Sequence, residues 1–267
     1  TLWLDPTMSY SSAWFSEGDK QSLAEAQRAK IQRILDSIGS QASDHILEIG
    51  CGWGGVMEEA LRSDIAITGL TLSTEQKAFA DVRLNNIQAS NGNTPAFEVR
   101  LQDYRDVSGT YDRVVSVGLM EHVGYKNYRH FFEVIHRTLK DDNSTALVHT
   151  IGGNISAAST DPWLDKYIFP NSMLPSIAQI AKAMEGLFVM EDWHNFGEDY
   201  DKTLMAWHAR FEAAWPGLED RYGERFYRMW RYYLQCCAGT FRARDNQLWQ
   251  VVLSPSGHAG GYRRPLM

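Results

Sequence analysis

Cysteine is scarce in this 267-residue chain. Cys51, Cys236 and Cys237 are an odd number without ligand-like spacing. They exclude a disulfide framework and a zinc cluster, and they point to a reducing compartment. No apolar run reaches the ~18 residues that span a bilayer. Basic residues do not dominate either: 26 Lys+Arg against 33 Asp+Glu leave a net charge of −7. A general nucleic-acid binder would carry the opposite balance, so no nucleic-acid partner is expected. Internal repeats, low-complexity tracts and an evident linker are missing too. The chain opens without Met or a signal peptide, at Thr1-Leu2-Trp3-Leu4-Asp5-Pro6, so a missing natural start is expected. Hydrophobic content of 44% with 22% charged residues excludes a disordered chain. Aromatic residues are plentiful at 12%, with nine Trp. Such rings bury much apolar area, enough for a large core or an apolar ligand tunnel.

The apolar pattern over 22–38 predicts an amphipathic helix. Leu23, Ala26, Ile34, Leu35 and Ile38 lie roughly on one face, with Glu25, Arg28, Lys30 and Arg33 largely off it. Ser22 and Glu25 have capping-box spacing, and Gly39 ends the helix. Strands and helices then alternate. Strands are expected at 45–49, 65–70, 96–101, 113–117 and 146–150, and helices at about 55–62, 73–89 and 126–139. That alternation predicts an α/β fold with a parallel sheet covered on both faces. Its first and fourth strands flank the switch point where ligands bind. Beyond residue 151 the rhythm changes. A sixth strand is expected at 188–193, aromatic-rich helix over 200–239, a last strand at 248–253 and a loose tail from 254.

Glu48-Ile49-Gly50-Cys51-Gly52-Trp53-Gly54-Gly55 falls between a strand and a helix, where glycines let the backbone turn tightly and approach a ligand. The spacing fits G-x-G-x-x-G, the dinucleotide fingerprint. It also fits the acidic glycine loop of S-adenosylmethionine (SAM) methyltransferases. A dinucleotide site wants an acid about 20 residues on. The second strand ends instead in Gly69-Leu70-Thr71-Leu72-Ser73. Glu48 would repel a pyrophosphate and attract an ammonium and a sulfonium. SAM is the favoured ligand on these grounds. The fourth strand runs into Glu121 and the fifth ends at His149, so both fall beside that ligand, and both can hold or exchange a proton. His122 and the other six histidines read as structural.

Several stretches follow one another in order: Tyr10-Ser11-Ser12-Ala13-Trp14, the glycine loop, Gly69 to Gln76, Leu101-Gln102-Asp103-Tyr104-Arg105-Asp106, Glu121-His122-Val123-Gly124, His149-Thr150-Ile151-Gly152, Ile168-Phe169-Pro170 and Phe241-Arg242-Ala243-Arg244. Together they closely resemble the bacterial cyclopropane-fatty-acyl-phospholipid synthases and, more distantly, the mycolic acid cyclopropane synthases. The resemblance covers about residues 1–253. It implies a class I SAM-dependent methyltransferase fold, Rossmann-like, with a mostly parallel seven-stranded sheet. One catalytic domain would span 1–267, with 151–187 and 200–239 as lid and substrate-binding elements. The usual smaller N-terminal domain would be absent from this chain. The implied reaction transfers a methylene group from SAM to the cis double bond of a phospholipid acyl chain.

By resemblance, the cofactor residues are Tyr10, Ser11, Gly50, Gly52, Thr71 and Gln76, with Asp103 and Tyr104 near the adenine. Glu48 joins them from the charge argument. A second cofactor, bicarbonate, would be held by Glu121, His149, the backbone of Ile151, Tyr200 and Ser12, where the family usually has cysteine. No metal is expected. A dry site would protect a carbocation, which aromatic faces stabilise, and Tyr167, Phe169, Trp193, Phe196 and Trp207 are candidates. Arg221, Arg225, Arg228 and Arg231 alternate with Phe226, Tyr227, Trp230 and Tyr233, a pattern that fits either peripheral contact with an anionic membrane or a helix packed by its rings with a solvated arginine edge. The expected location is the cytoplasm, with transient contact at the inner face of the membrane. The oligomeric state stays open, a homodimer of the full-length protein being one arrangement. A related enzyme giving a methyl-branched or methylene product is the alternative, and a binding module without turnover is a third reading.

Overall fold

The structure is a computed structural model that describes residues 2–16, 20–91 and 95–265. Its framework is a seven-stranded sheet: β1 (His45–Ile49), β2 (Ala66–Thr71), β3 (Phe97–Leu101), β4 (Arg113–Val117), β5 (Thr145–Gly153), β6 (Val189–Asn195) and β7 (Asn246–Ser254). The strand order is β3-β2-β1-β4-β5-β7-β6. The first five strands are parallel, while β7 runs antiparallel between β5 and β6. β1 and β4 are neighbours, as the switch-point argument requires.

Alternate residues of each strand enter opposite cores, because side chains in a strand point to alternate faces. Leu47, Val114, Val148 and Val251 pack with α4 (Tyr128–Thr138) and α6 (Ile177–Met184). Ile46, Val115, Leu147 and Val252 pack with α1 (Leu23–Ser37), α2 (Gly55–Arg62) and α3 (Thr74–Asn91). Burial on both faces explains why these strands read as continuous apolar runs.

A third core sits above the carboxyl ends of the strands. The segment 2–16, α5 (Pro162–Tyr167), α7 (Glu198–Ala214) and α8 (Glu219–Arg242) converge there, with α8 kinked at Gly223. Phe226, Tyr227, Trp230 and Tyr233 turn into this core. Arg221 lies over Tyr222, Arg228 meets Glu224, and Arg231 meets Glu212. The helix therefore packs by its rings and leaves an arginine edge outside.

One expectation gains a finding the pattern did not carry, and one is corrected. Lys30 and Arg33, read as lying off the apolar face of α1, are 1% and 3% exposed. The segment 2–16 covers that polar face. Trp14 N–H donates to the Ala26 carbonyl, the Gln27 amide donates to the Ser11 carbonyl, and the Arg33 guanidinium stacks on Trp14. The tail is not loose where it is described. Tyr262 donates to the Ser37 carbonyl, His258 N–H to Glu191, and Arg264 pairs with Asp192.

Candidate active site

The glycine loop closes over the end of β2. The N–H groups of Gly50 and Cys51 both donate to the Leu70 carbonyl, at 3.1 and 2.8 Å. Gly52 has φ +52°, and a Cβ built on it meets nothing within 4 Å. The backbone there borders open space, as close approach to a ligand demands.

Beside the loop is a cleft lined by Ser9, Tyr10, Ser11, Lys30, Glu48, Gly50, Gly52, Trp53, Thr71, Leu72 and Gln76. Thr71 donates its hydroxyl to Gln76 Oε1 at 2.7 Å. Lys30 Nζ donates to Ser11 Oγ at 3.0 Å. Glu48 is buried, and its Oε2 has no partner among the described residues. Burial pushes the Glu48 carboxyl up to about 8, with Lys30 pulling it back. Burial likewise lowers Lys30, with Asp5 and Glu48 opposing. The cleft thus offers one carboxyl and one amine, and an ammonium placed beside Glu48 would draw its carboxyl back toward the ionised form.

A second cavity opens from the first. Tyr10, Ser11, Gly118 and His122 line both. Its floor is polar, from Glu121, His149 and Tyr200, and its walls are Leu164, Phe169, Leu174, Leu204, Tyr233, Phe241 and Leu248. Segments 151–187 and 200–239 supply most of those walls. Tyr10 and Tyr233 hydroxyls are 3.0 Å apart, and Tyr200 stacks on Phe241 at 4.6 Å.

Glu121 lies on a short 3-10 turn (Met120–His122) after β4. Its Oε1 accepts the Ile151 N–H at 2.7 Å, and its Oε2 is buried without a partner. Burial pushes this carboxyl up to about 7, against the pull of the Ile151 and Glu121 N–H groups. His149, on β5, is 1% exposed with an unpartnered Nε2. Burial, and secondarily the Lys30 charge, pull its imidazole down to about 3, so it is neutral.

Four expected residues stand elsewhere or are already engaged. Asp103 and Tyr104 line neither cavity. Asp103 caps the 3-10 turn Tyr104–Asp106 and binds the Arg105 guanidinium through both oxygens, while Tyr104 packs edge-on against Phe131. Ser12 is fully buried, and its hydroxyl donates to the Ala13 carbonyl at 2.8 Å. The Ile151 N–H is committed to Glu121. Of the five ring candidates, Phe169 alone lines the second cavity. Trp193 packs on Trp249, Phe196 on His149, Trp207 on Tyr10, and Tyr167 on Trp163. His122, read as structural, and Lys30, read as lying off the apolar face, both border the site. The signal missed was position: one is next to Glu121, the other is on the helix that segment 2–16 covers.

The family model described as mycolic acid cyclopropane synthetase matches residues 1–251. The chain belongs to this family. Within it, cyclopropane-fatty-acyl-phospholipid synthase of Escherichia coli strain K12 is 50% identical over 252 residues, covering 94% of this chain and 63% of the relative. Tuberculostearic acid methyltransferase UfaA1 of Mycobacterium tuberculosis is 36% identical, covering 95% and 61%. The chain therefore spans a little under two thirds of these relatives. The solved mycolic acid cyclopropane synthase CmaA1, complexed with SAH and CTAB, superposes with a TM-score of 0.84 at 31% identity, covering 95% of this chain and 92% of that one. The sheet and its helices are thus the Rossmann-like fold of the SAM-dependent methyltransferases, as expected. Among the described residues no helix is long and apolar enough to cross a membrane.

Proposed function

We propose that this cyclopropane synthetase family member converts the cis double bond of a phospholipid acyl chain into a cyclopropane. The observation that carries the reading is the buried pair of unpartnered atoms, Glu121 Oε2 and His149 Nε2, on the floor of an apolar cavity that opens from the glycine-loop cleft. The cleft residues fit SAM. Glu48 meets an ammonium, Lys30 with Ser11 meets a carboxylate, and the Gly52 backbone leaves room for the ligand. Bicarbonate fits the floor in part. Glu121 holds a proton readily near neutral pH, so its carboxyl can donate to an anion, and neutral His149 and Tyr200 add polar groups. The Ser12 hydroxyl donates to the Ala13 carbonyl and the Ile151 N–H to Glu121, so neither donor faces the cavity in this structure.

When bound, SAM supplies an electrophilic methyl group and bicarbonate a base for the last proton. This chain's residues do the rest. The shared border of Tyr10, Ser11, Gly118 and His122 brings the two reactants together, which lowers the barrier through proximity. Leu164, Leu174, Leu204, Leu248 and Phe169 exclude water, which would trap the cation on the acyl chain as an alcohol. The faces of Phe169, Tyr233, Tyr200 and Phe241 stabilise that cation. Loss of a proton from the added methyl closes the ring, and Glu121 orients the proton's acceptor.

The cavity needs an acyl chain delivered from a bilayer. Arg225 and Arg228 border an exposed hollow with Trp163, Tyr167, Met229 and Tyr232. Cationic and aromatic groups together suit peripheral contact with an anionic membrane surface. The test is transfer of labelled methyl from SAM to vesicles of unsaturated phospholipid, with saturated vesicles as control. Label in the unsaturated lipid alone supports the reading. SAM binding without transfer refutes it in favour of a binding module.

A further inference from the structure

Three side chains lie in register across three adjacent strands. His149 on β5 faces Gln250 on β7, and Gln250 faces His194 on β6. Arg33, from α1, lies across them. Its Nε donates to Gln250 Oε1 at 3.1 Å, and one terminal nitrogen donates to His194 Nδ1 at 3.0 Å. Gln250 Nε2 is 3.4 Å from His149 Nδ1. All of Arg33, His149 and Gln250 are buried, at 3%, 1% and 2% exposure.

The chemistry of these groups fixes the direction of each bond. A guanidinium has only N–H donors, so the Gln250 atom facing Arg33 must be the oxygen. The Gln250 atom facing His149 is then the NH2 group, which can only donate. His149 Nδ1 must therefore accept, and its proton sits on Nε2, because the bond at one ring nitrogen decides which nitrogen carries the proton. The Nε2 atom is the one without a partner, in a residue that lines the acyl-chain cavity.

We propose that Arg33 and Gln250 are positioning residues that hold His149 in its Nε2–H form, so that His149 offers the cavity a hydrogen-bond donor and not a base. The pull of burial on the imidazole supports this, since it keeps the ring neutral. His149 then holds an oxygen acceptor in place, and proton acceptance is left to the group that Glu121 orients. The effect on turnover rests on the proposed reaction, whereas the tautomer does not.

The test is a long-range nitrogen–proton correlation spectrum of the histidine-labelled protein, with the His149 signal assigned by its loss in His149→Gln. The wild type should show a pyridine-type Nδ1 and a pyrrole-type Nε2. In Gln250→Glu the near-isosteric carboxylate only accepts, so the pattern should reverse. SAM affinity should hold while kcat falls about 10–100-fold, by analogy with the loss when an outer partner of a metal-ligating histidine is removed. Arg33→Lys, which keeps a donor, should preserve the wild-type pattern, and Arg33→Met should mix the two forms. A wild-type proton on Nδ1 overturns the proposal, even if no variant folds. So does a Gln250→Glu protein with an unchanged tautomer and unchanged kcat. A wild type that shows the Nε2–H form but transfers no methyl group refutes the proposed reaction and leaves this assignment standing.

Discussion

At the scale of single residues, burial without a partner marks the candidate chemistry of the proposed reaction. Glu121 is the clearest case. Its carboxyl is held at about 7 against an ordinary 4.5. Glu121→Gln is nearly isosteric and keeps an oxygen for the Ile151 N–H, so fold and SAM affinity should persist. Turnover should fall about 10²–10⁴-fold, mostly in kcat, the range for a general acid–base group. The same residue predicts a pH effect on stability. Between 4.5 and about 7 the folded protein keeps a proton that the unfolded chain has lost, so rising pH erodes stability through that window. Thermal melts should therefore show Glu121→Gln gaining on the wild type from pH 4.5 to 7 and holding level above. A constant difference would mean that the carboxyl titrates normally. Gly52→Val should abolish SAM binding in a folded protein. Its branched Cβ occupies the ligand's side of the loop and strains a φ of +52°, and calorimetric titration reads the loss directly. Glu121, His149 and the loop glycines were legible in the sequence because strand ends in α/β sheets place them. The tautomer of His149 was not, since it depends on Gln250, a hundred positions away, and on Arg33, whose burial needs the segment 2–16.

At the scale of elements, the β5–β7–β6 ladder positions the floor of the site. The first five strands, and the β1–β4 neighbourhood, followed from the alternating pattern, whereas several strand ends shifted by one to three residues. β5, for example, extends to Gly153 because β7 pairs with it along its whole length from Ala146. That pairing depends on a close approach no single-strand pattern reveals. A Cβ added at Gly152 would lie 2.0 Å from the Trp249 ring. Trp249 is buried and packed edge-on against Trp193, so it has nowhere to move. Gly152→Ala should therefore cost about 1–3 kcal/mol, as overpacking does. That is a drop of several degrees in Tm, about 2–4 °C per kcal/mol for a chain this size. An unchanged melt would show that the ladder tolerates separation.

At the scale of the whole molecule, two cavities meet at a border set by the segment 2–16 and the loop after β4, one polar and charged, the other apolar with a polar floor. Under the proposed reaction, this division would separate the binding of a charged donor from the dry handling of an acyl chain. The residue pattern could not show which rings wall the cavity: α7 and α8 bring Tyr200, Tyr233 and Phe241 to it, while Trp207 of α7 packs on Tyr10 and Trp193 of β6 packs on Trp249. The fate of the acyl chain separates ring closure from a methyl-branched or methylene product. Trideuteromethyl SAM, incubated with the protein and unsaturated phospholipid vesicles, tests it by mass spectrometry of the released fatty acid. Two of the three deuterons should be retained and the double bond lost. Three retained deuterons, or a surviving double bond in the labelled product, would contradict ring closure.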